Sequence, residues 1–263
     1  MCDNRTVPPR TLKGNPDFVL SLARGLAVIE AFQEKREGAT VGDLASHTHL
    51  SRAAVRRLLI TLEILGYASH SGPVYRLSSR VLRLGFSFLS SNSLATLAAP
   101  ILEEISAKLH ESSSLSALEG DDIVYLARSA TRRVMSVGLA IGSRLPAYCT
   151  SMGRVMLVSL SPEELASYLK RVELRALTPK TIVTKIALKA ELERVRAQGY
   201  ALVDEELEIG LRSIAVPVRT RSGKVVAAIN SGVHAARVQR KEMLVGFLPV
   251  LREGADRLSI AHG

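Results

Sequence analysis

Residues 40–77 constrain this chain more than any other stretch. TVGDLASHT reads as a short helix, and His49-Leu50 as a tight break after it. SRAAVRRLLITLEILGY then reads as a longer helix that opens at Ser51 and is stopped by Gly66. YASHSGPVYRL closes the segment as a hairpin, with His70-Ser71-Gly72-Pro73 as its turn. Helix, turn, basic-fronted helix and hairpin in this order define a winged helix-turn-helix. That device places its second helix in the major groove of DNA.

The residues inside the segment fit this reading. Phe18, Leu22, Leu26, Ile29 and Phe32 recur at helical spacing, so a preceding helix over 17–33 is expected to bury them as one stripe. Thr40 suits the N-cap of the short helix and is also a candidate DNA contact. Ser51 suits the N-cap of the longer one, because its hydroxyl can accept from a free first-turn N–H. Val55, Leu58, Leu59, Leu62 and Leu65 form the inward stripe of that helix. Arg52 and Arg56, four apart, share its outward face, with Arg57 on the flank. Ala53 beside Arg52 lets the backbone approach DNA closely. Arg52 or Arg56 is expected to read a guanine, an interaction worth about 1–3 kcal/mol of discrimination. Arg57 is expected on a phosphate, and Arg76 of the hairpin on the backbone or minor groove. For each arginine taken alone, a solvated helix face is the alternative. Ser51 and Ala53 complete the expected contact set.

Charge supports the same conclusion without proving it. Residues 1–90 carry 12 Lys+Arg against 7 Asp+Glu, and residues 91–263 carry 23 against 18. The first third is therefore about twice as charge-dense, as a binder of phosphate backbones requires. No apolar run approaches the roughly 20 residues of a membrane span, and no membrane partner is expected. The first 16 residues read as a flexible arm rather than a signal peptide. Cys2 and Cys149 are too few and too distant for a disulfide framework, which suits a reducing cytoplasm.

After Ser78, SSRVLRLGFSFLSS returns to helical spacing and is apolar over more than half its circumference. A linker helix over 78–92 that buries this face against a second copy of the chain is expected; packing within the chain is the alternative. Residues 93–263 mix helices (94–110, the start at Ser161-Pro162-Glu163-Glu164, 188–198, and from Arg240) with short strands at SSLSALEG, DIVYLARSA, MSVGLAI, ALVDEEL, SIAVPVR and VVAAINSGV. Close-spaced strands with turns at Gly120-Asp121-Asp122 and Ser222-Gly223-Lys224 argue for a mainly antiparallel sheet with helices packed on it, hence an α+β chain. Ser151, Ser231 and His234 are candidate nucleophile and base groups, but no G-x-S-x-G elbow frames either serine, so catalysis is not expected. His47 and His49 lack cysteine partners, and neither a metal site nor a cofactor is expected.

The chain resembles the IclR family of transcriptional regulators. The motifs that carry the resemblance are SLARGLAVIEAF, SRAAVRRLLITLEILGY, GSRLPAYCTSMGRVML, GYALVDEELEIGLRSIAVPVR and AAINSGVHAARV. The stretch from HESSSLSALEG to GRVML is similar to the PcaR/PcaU/PobR branch, which regulates catabolism of protocatechuate and 4-hydroxybenzoate through the β-ketoadipate pathway. The resemblance implies four parts: an arm (1–16), a winged helix-turn-helix (17–77), a linker and dimerisation helix (78–92), and a GAF-like effector-binding domain (93–263). It implies double-stranded operator DNA, a small aromatic or dicarboxylic acid, and a second or further copies of the chain as partners. By motif matching, the N–H groups of Ser151 and Met152 before Gly153 are expected to hold a ligand carboxylate, with Asp204, Ser213, Asn230 and Gly232 on facing strands. Tyr148 is expected to stack on or hydrogen-bond an aromatic acid, and Arg144 to pair a second carboxylate. A regulator answering to another small carboxylic acid, and more remotely a hydrolase-like enzyme fused to a DNA-binding domain, are the alternative readings.

Overall fold

The computed structural model describes residues 16–34, 37–85, 93–130 and 139–262. The chain divides into two compact units, residues 1–88 and 89–263. The expected arm and most of the expected strand MSVGLAI lie outside the described residues. So do Phe86, Phe88 and Leu89 of the expected linker helix.

The first unit contains α1 (Leu20–Glu30), followed by a 3₁₀ turn (Ala31–Glu34), β1 (Ala39–Thr40), α2 (Val41–Thr48), α3 (Arg52–Ile64), β2 (Ala68–Ser71) and β3 (Val74–Leu77). Local chemistry fixes its boundaries. Thr40 and Asp43 form a reciprocal capping box at the start of α2, and His49 ends that helix at φ 54. Ser51 accepts from Ala54 N to cap α3, and Gly66 at φ 78 lets the chain leave it. The hairpin turn is only two residues long. Gly72, at φ 57 and followed by Pro73, gives the tight turn that matches strand twist. His70 and Ser71 therefore belong to β2. β1 pairs with β3, so the wing is a three-stranded antiparallel sheet in the order β1-β3-β2. Val55, Leu59 and Leu62 pack against Val28, Ala31, Phe32 and Leu44 to form the core.

The expected stripe on α1 is corrected. Leu22 and Leu26 are 62% and 47% exposed, and Val28 and Ala31 take the inward positions. α1 starts only at Leu20, and Gly25 midway along it meets Leu58 of α3. Its first turns therefore leave Leu20, Leu22 and Leu26 beside Ile60 as an open apolar groove. Leu65, expected inward, is likewise exposed. After the wing, a 3₁₀ turn (Ser79–Val81), capped by Ser78, begins the expected linker, and Leu82 and Leu84 are exposed.

The second unit is a six-stranded antiparallel sheet in the order β6-β5-β4-β9-β8-β7. Its strands are β4 (Ser112–Glu119), β5 (Asp122–Ser129), β6 (Arg144–Pro146), β7 (Ala201–Asp204), β8 (Leu211–Arg219) and β9 (Val225–His234). One face packs on α4 (Ser93–Leu109) and on the C-terminal rod, made of α8 (Arg240–Glu242), a π-turn (Met243–Phe247) and α9 (Leu248–His262). The other face packs on a 3₁₀ turn (Ala147–Cys149), α5 (Ser151–Leu157), α6 (Pro162–Arg171) and α7 (Lys185–Gln198). Strand alternation sends Leu115, Ile214 and Ile229 to the first core and Ile123, Ala215 and Ala228 to the second. α5 is buried along its whole length, but it has only seven residues. It therefore covers only part of its sheet face.

Candidate functional site

Two surfaces fit function, one in each unit. In the first, Arg52, Ala53 and Arg56 are exposed on the opening turns of α3. The Arg52 guanidinium lies beside Gly42 of α2, where a side chain would be within 4 Å of it. Arg57 is exposed on the flank that faces α1 and lines the apolar groove. Arg76 is exposed on β3, opposite Ser69. Thr40 is committed to its cap: its hydroxyl donates to Asp43 Oδ2 at 2.7 Å and accepts from Asp43 N at 3.2 Å. Ser51 is exposed while its Oγ caps α3. The wing is braced on the helix, because His70 Nδ1 and Glu63 Oε1 are 2.7 Å apart and the His70 ring stands 5.2 Å from that of Tyr75. Arg80, missed as a candidate, lies over the Tyr67 ring at 5.4 Å and adds a cation beside the wing.

The second surface is a cavity on the sheet face that α5 leaves uncovered. Its floor consists of two rows of directly paired residues. Arg128, Ser114 and Asn230 form one, and Ser112, Gly232, Ser213 and Val203 form the next. The turn into α5 closes one side with Cys149, Thr150, Ser151 and Met152. Leu139, Leu145, Leu207 and Leu211 supply apolar wall. The space that the centres of water-sized molecules can occupy is about 40 Å³.

Arg128 is the one charged side chain among the described residues that line this cavity. It is half-buried, and its guanidinium donates to Ser114 Oγ at 3.5 Å. A β-bulge aims it there. Leu115 pairs with Ala127 but Ser116 pairs with Tyr125, so Leu126 is an extra residue in β5. Leu126 and Ala127 both face the α4 core, and Arg128 emerges on the cavity face. Burial pushes the Tyr125 phenol and the Cys149 thiol up to about 12, so both meet the cavity as neutral groups. Ser151 Oγ is buried on the wall and has no hydrogen-bond partner among the described residues. Such a group costs free energy until something bonds it. Thr150 Oγ1 accepts from Gly153 N at 3.2 Å; the N–H groups of Ser151 and Met152 precede any intrahelical acceptor.

The other expected effector residues stand elsewhere. Gly153 is a packing position: a Cβ there would lie 2.2 Å from Ala147 O. Tyr148 is buried, and its hydroxyl donates to Arg175 O at 2.8 Å and accepts from Arg175 N at 3.2 Å. Arg144 is at the exposed edge with Glu119 at 2.5 Å and Asp122 at 3.4 Å. Asp204 accepts from Arg212 Nε at 2.8 Å. None of these four is on the cavity wall. Of the groups weighed as nucleophile and base, Ser231 Oγ donates to Ser112 O, and His234 Nδ1 accepts from Ala236 N. Among the described residues no cluster suited to a metal ion occurs, and no helix is long and apolar enough to cross a membrane.

A winged helix-turn-helix with exposed arginines on its recognition helix, and a second unit with a polar-floored cavity, together define a DNA-binding regulator with a small-molecule sensor. The family models agree with both halves. Residues 21–72 match the IclR helix-turn-helix domain and residues 86–260 the bacterial transcriptional regulator IclR C-terminal domain. The chain belongs to the IclR family of transcriptional regulators, a family of DNA-binding proteins and not of enzymes, and its partners are DNA and a small molecule. It is 52% identical over 239 residues to the Pca regulon regulatory protein of Pseudomonas putida, covering 90% of this chain and 82% of that protein. A transcriptional regulator from Rhodococcus sp. RHA1 superposes with TM-score 0.82 at 48% identity, over 92% of this chain and 98% of the other. The inducer-binding domain of a double mutant of the PobR transcription factor from Acinetobacter, complexed with 3-hydroxybenzoic acid, superposes with TM-score 0.59 at 34% identity. That match covers 62% of this chain and 96% of the other.

Proposed function

We propose that this chain regulates genes of aromatic-acid catabolism, and that its cavity senses an aromatic acid or the dicarboxylic product of ring cleavage. The observation that carries the reading is the cavity's division into one cationic, hydroxyl-rich floor and one apolar wall. Arg128 pairs the ligand carboxylate, helped by Ser114. Ser151 Oγ and the first N–H groups of α5 take a second polar substituent. Leu139, Leu145, Leu207 and Leu211 hold the hydrocarbon body. The cavity is narrower than an aromatic ring needs, so these side chains shift when one binds. Ligand-driven output then requires unequal affinity for two arrangements of the protein. Similarity to the Pca regulon protein and to the hydroxybenzoate-bound inducer domain supports the choice of acid.

The same reading makes the chain a homodimer or a dimer of dimers. The apolar face of Leu20, Leu22, Leu26 and Ile60 supports it, because a dimer presents two recognition helices to two half-sites.

The test is a mobility shift on the chain's own upstream DNA, with and without 4-hydroxybenzoate, protocatechuate and β-ketoadipate. One of the three is expected to change the affinity, with two chains or more per complex. Arg128→Gln is expected to weaken that ligand response roughly tenfold to a hundredfold, from the about 1.5–3 kcal/mol of a charge-assisted bond, and to leave ligand-free DNA binding intact. Indifference to all three acids refutes the proposed effector class. A single chain per complex refutes the dimer.

A further inference from the structure

Behind the cavity wall lies a buried ionic cluster that the effector reading does not use. Arg154 of α5 is 1% exposed. Its Nε donates to Tyr148 O at 2.9 Å, one terminal nitrogen meets Glu206 Oε2 at 2.5 Å, and the other meets Glu191 Oε1 of α7 at 3.5 Å. Glu206 Oε2 also accepts from Ile182 N at 3.1 Å. Glu191 is in turn paired with Arg194, so two cations and two anions leave the cluster neutral. Thr181 Oγ1 donates to Glu206 O at 2.6 Å, and Thr178 Oγ1 donates to Glu205 O at 2.6 Å. Glu205 is held at φ 59, a left-handed conformation that a non-glycine residue keeps only when its surroundings over-determine it.

Burying an arginine with two carboxylates gains little stability over a packed apolar core, because desolvation cancels most of the attraction. What such a cluster supplies is fixed geometry. Here the fixed points are Tyr148, immediately before the wall residues Cys149 to Met152, and Glu206, immediately before the wall residue Leu207. We propose that Arg154 is a positioning residue whose buried guanidinium cross-braces these two wall segments of the cavity. The brace stands on the bonds alone, whatever the effector; its weight in ligand response rests on the effector reading above.

Cys149 gives a ligand-free readout. Its thiol is buried on the cavity wall, so reagent reaches it only when the 148–152 segment opens. In the full chain with Cys2→Ser, Arg154→Met alone leaves Glu206 without its guanidinium and is expected to lower the melting temperature. Adding Glu206→Gln removes that orphan charge while keeping the acceptor for Ile182 N, and is expected to restore melting close to that of the parent. Cys149 labelling in the double variant is nevertheless expected to stay at least tenfold faster. Hydrogen exchange is expected to show lost protection in both 148–152 and 206–211, with β8 and β9 still protected. Parental labelling in the double variant, or lost protection in only one of the two segments, overturns the brace. A purely structural role predicts that labelling recovers together with melting.

Discussion

Gly153 is the position where a single methyl group should do most damage. It lies where α5 crosses the turn at Ala147, and a Cβ would sit 2.2 Å from Ala147 O, 2.4 Å from Cα and 2.6 Å from the carbonyl carbon. Ordinary contact begins at 3.4 Å, which is about 0.8–1.2 Å further out. All three obstacles are backbone atoms of a buried residue, so no rotamer change relieves them. α5 must back away from the turn. That motion stretches the 2.9 Å bond from Arg154 Nε to Tyr148 O and the Ser116 Oγ contact to Met152 Sδ. Overpacking costs about 1–3 kcal/mol, and a charge-assisted buried bond contributes about 1.5–3 kcal/mol more. With the two effects added, Gly153→Ala is expected to cost about 2.5–6 kcal/mol. At about 2–4 °C per kcal/mol for a unit of this size, melting falls by about 5–24 °C. The assay is thermal unfolding followed by exposure of the Cys149 thiol, in the Cys2→Ser chain, because that thiol reports on the second unit alone. Gly246→Ala is the control. It is exposed with nothing within 4 Å of a new Cβ, and it should change stability by less than about 1 kcal/mol, upward. A Gly153→Ala protein melting within about 2 °C of the parent would refute the packing argument.

On the DNA side, Arg52→Ala is expected to relax preference at one base position, whereas Arg57→Ala weakens all sites alike and lowers the salt slope by about 1. Identical behaviour in titrations at several salt concentrations would abolish the distinction between the two arginines. In the second unit, hydrogen bonds from Lys180 and from Gly210 N hold the Glu205 carboxyl below its ordinary value of 4.5. A depressed carboxylate adds stability that is complete above pH 4.5 and is lost as the pH falls through the folded-state value. Melting should drop below pH 4.5, less steeply in Glu205→Gln; equal slopes in the two proteins would exclude Glu205 as a contributor.

Much of the first unit was legible residue by residue. Thr40 and Ser51 cap the helices they were expected to cap, and Arg52 and Arg56 share the exposed face their spacing implies. These signals are local: a cap, a glycine stop or an i, i+4 pair involves only near neighbours in the chain. The antiparallel α+β sheet followed from strand alternation and turn residues for the same reason. Exposure of Leu22 and Leu26 was not legible, because a helix stripe shows only that apolar residues share a face, not how far along that face the neighbour reaches.

The cavity was decided by tertiary structure. Alternation counted from Tyr125 puts Ala127 on the cavity face and Arg128 on the other; the extra residue Leu126 reverses this. No composition or spacing signal announces a bulge, since it depends on which strand lies opposite. No signal near Arg154 in the chain marks it for burial, and only the meeting of α5, α7 and the β7–β8 loop buries it. Arg144 and Asp204 carry charges suited to a ligand, yet the fold brings each an opposite charge first. The sequence by itself thus determined the elements, their caps and the exposed arginine face of α3, where energy is set within a few residues of chain. Which side chains share the cavity was decided by strand register and long-range packing, because burial and charge pairing depend on segments distant in sequence.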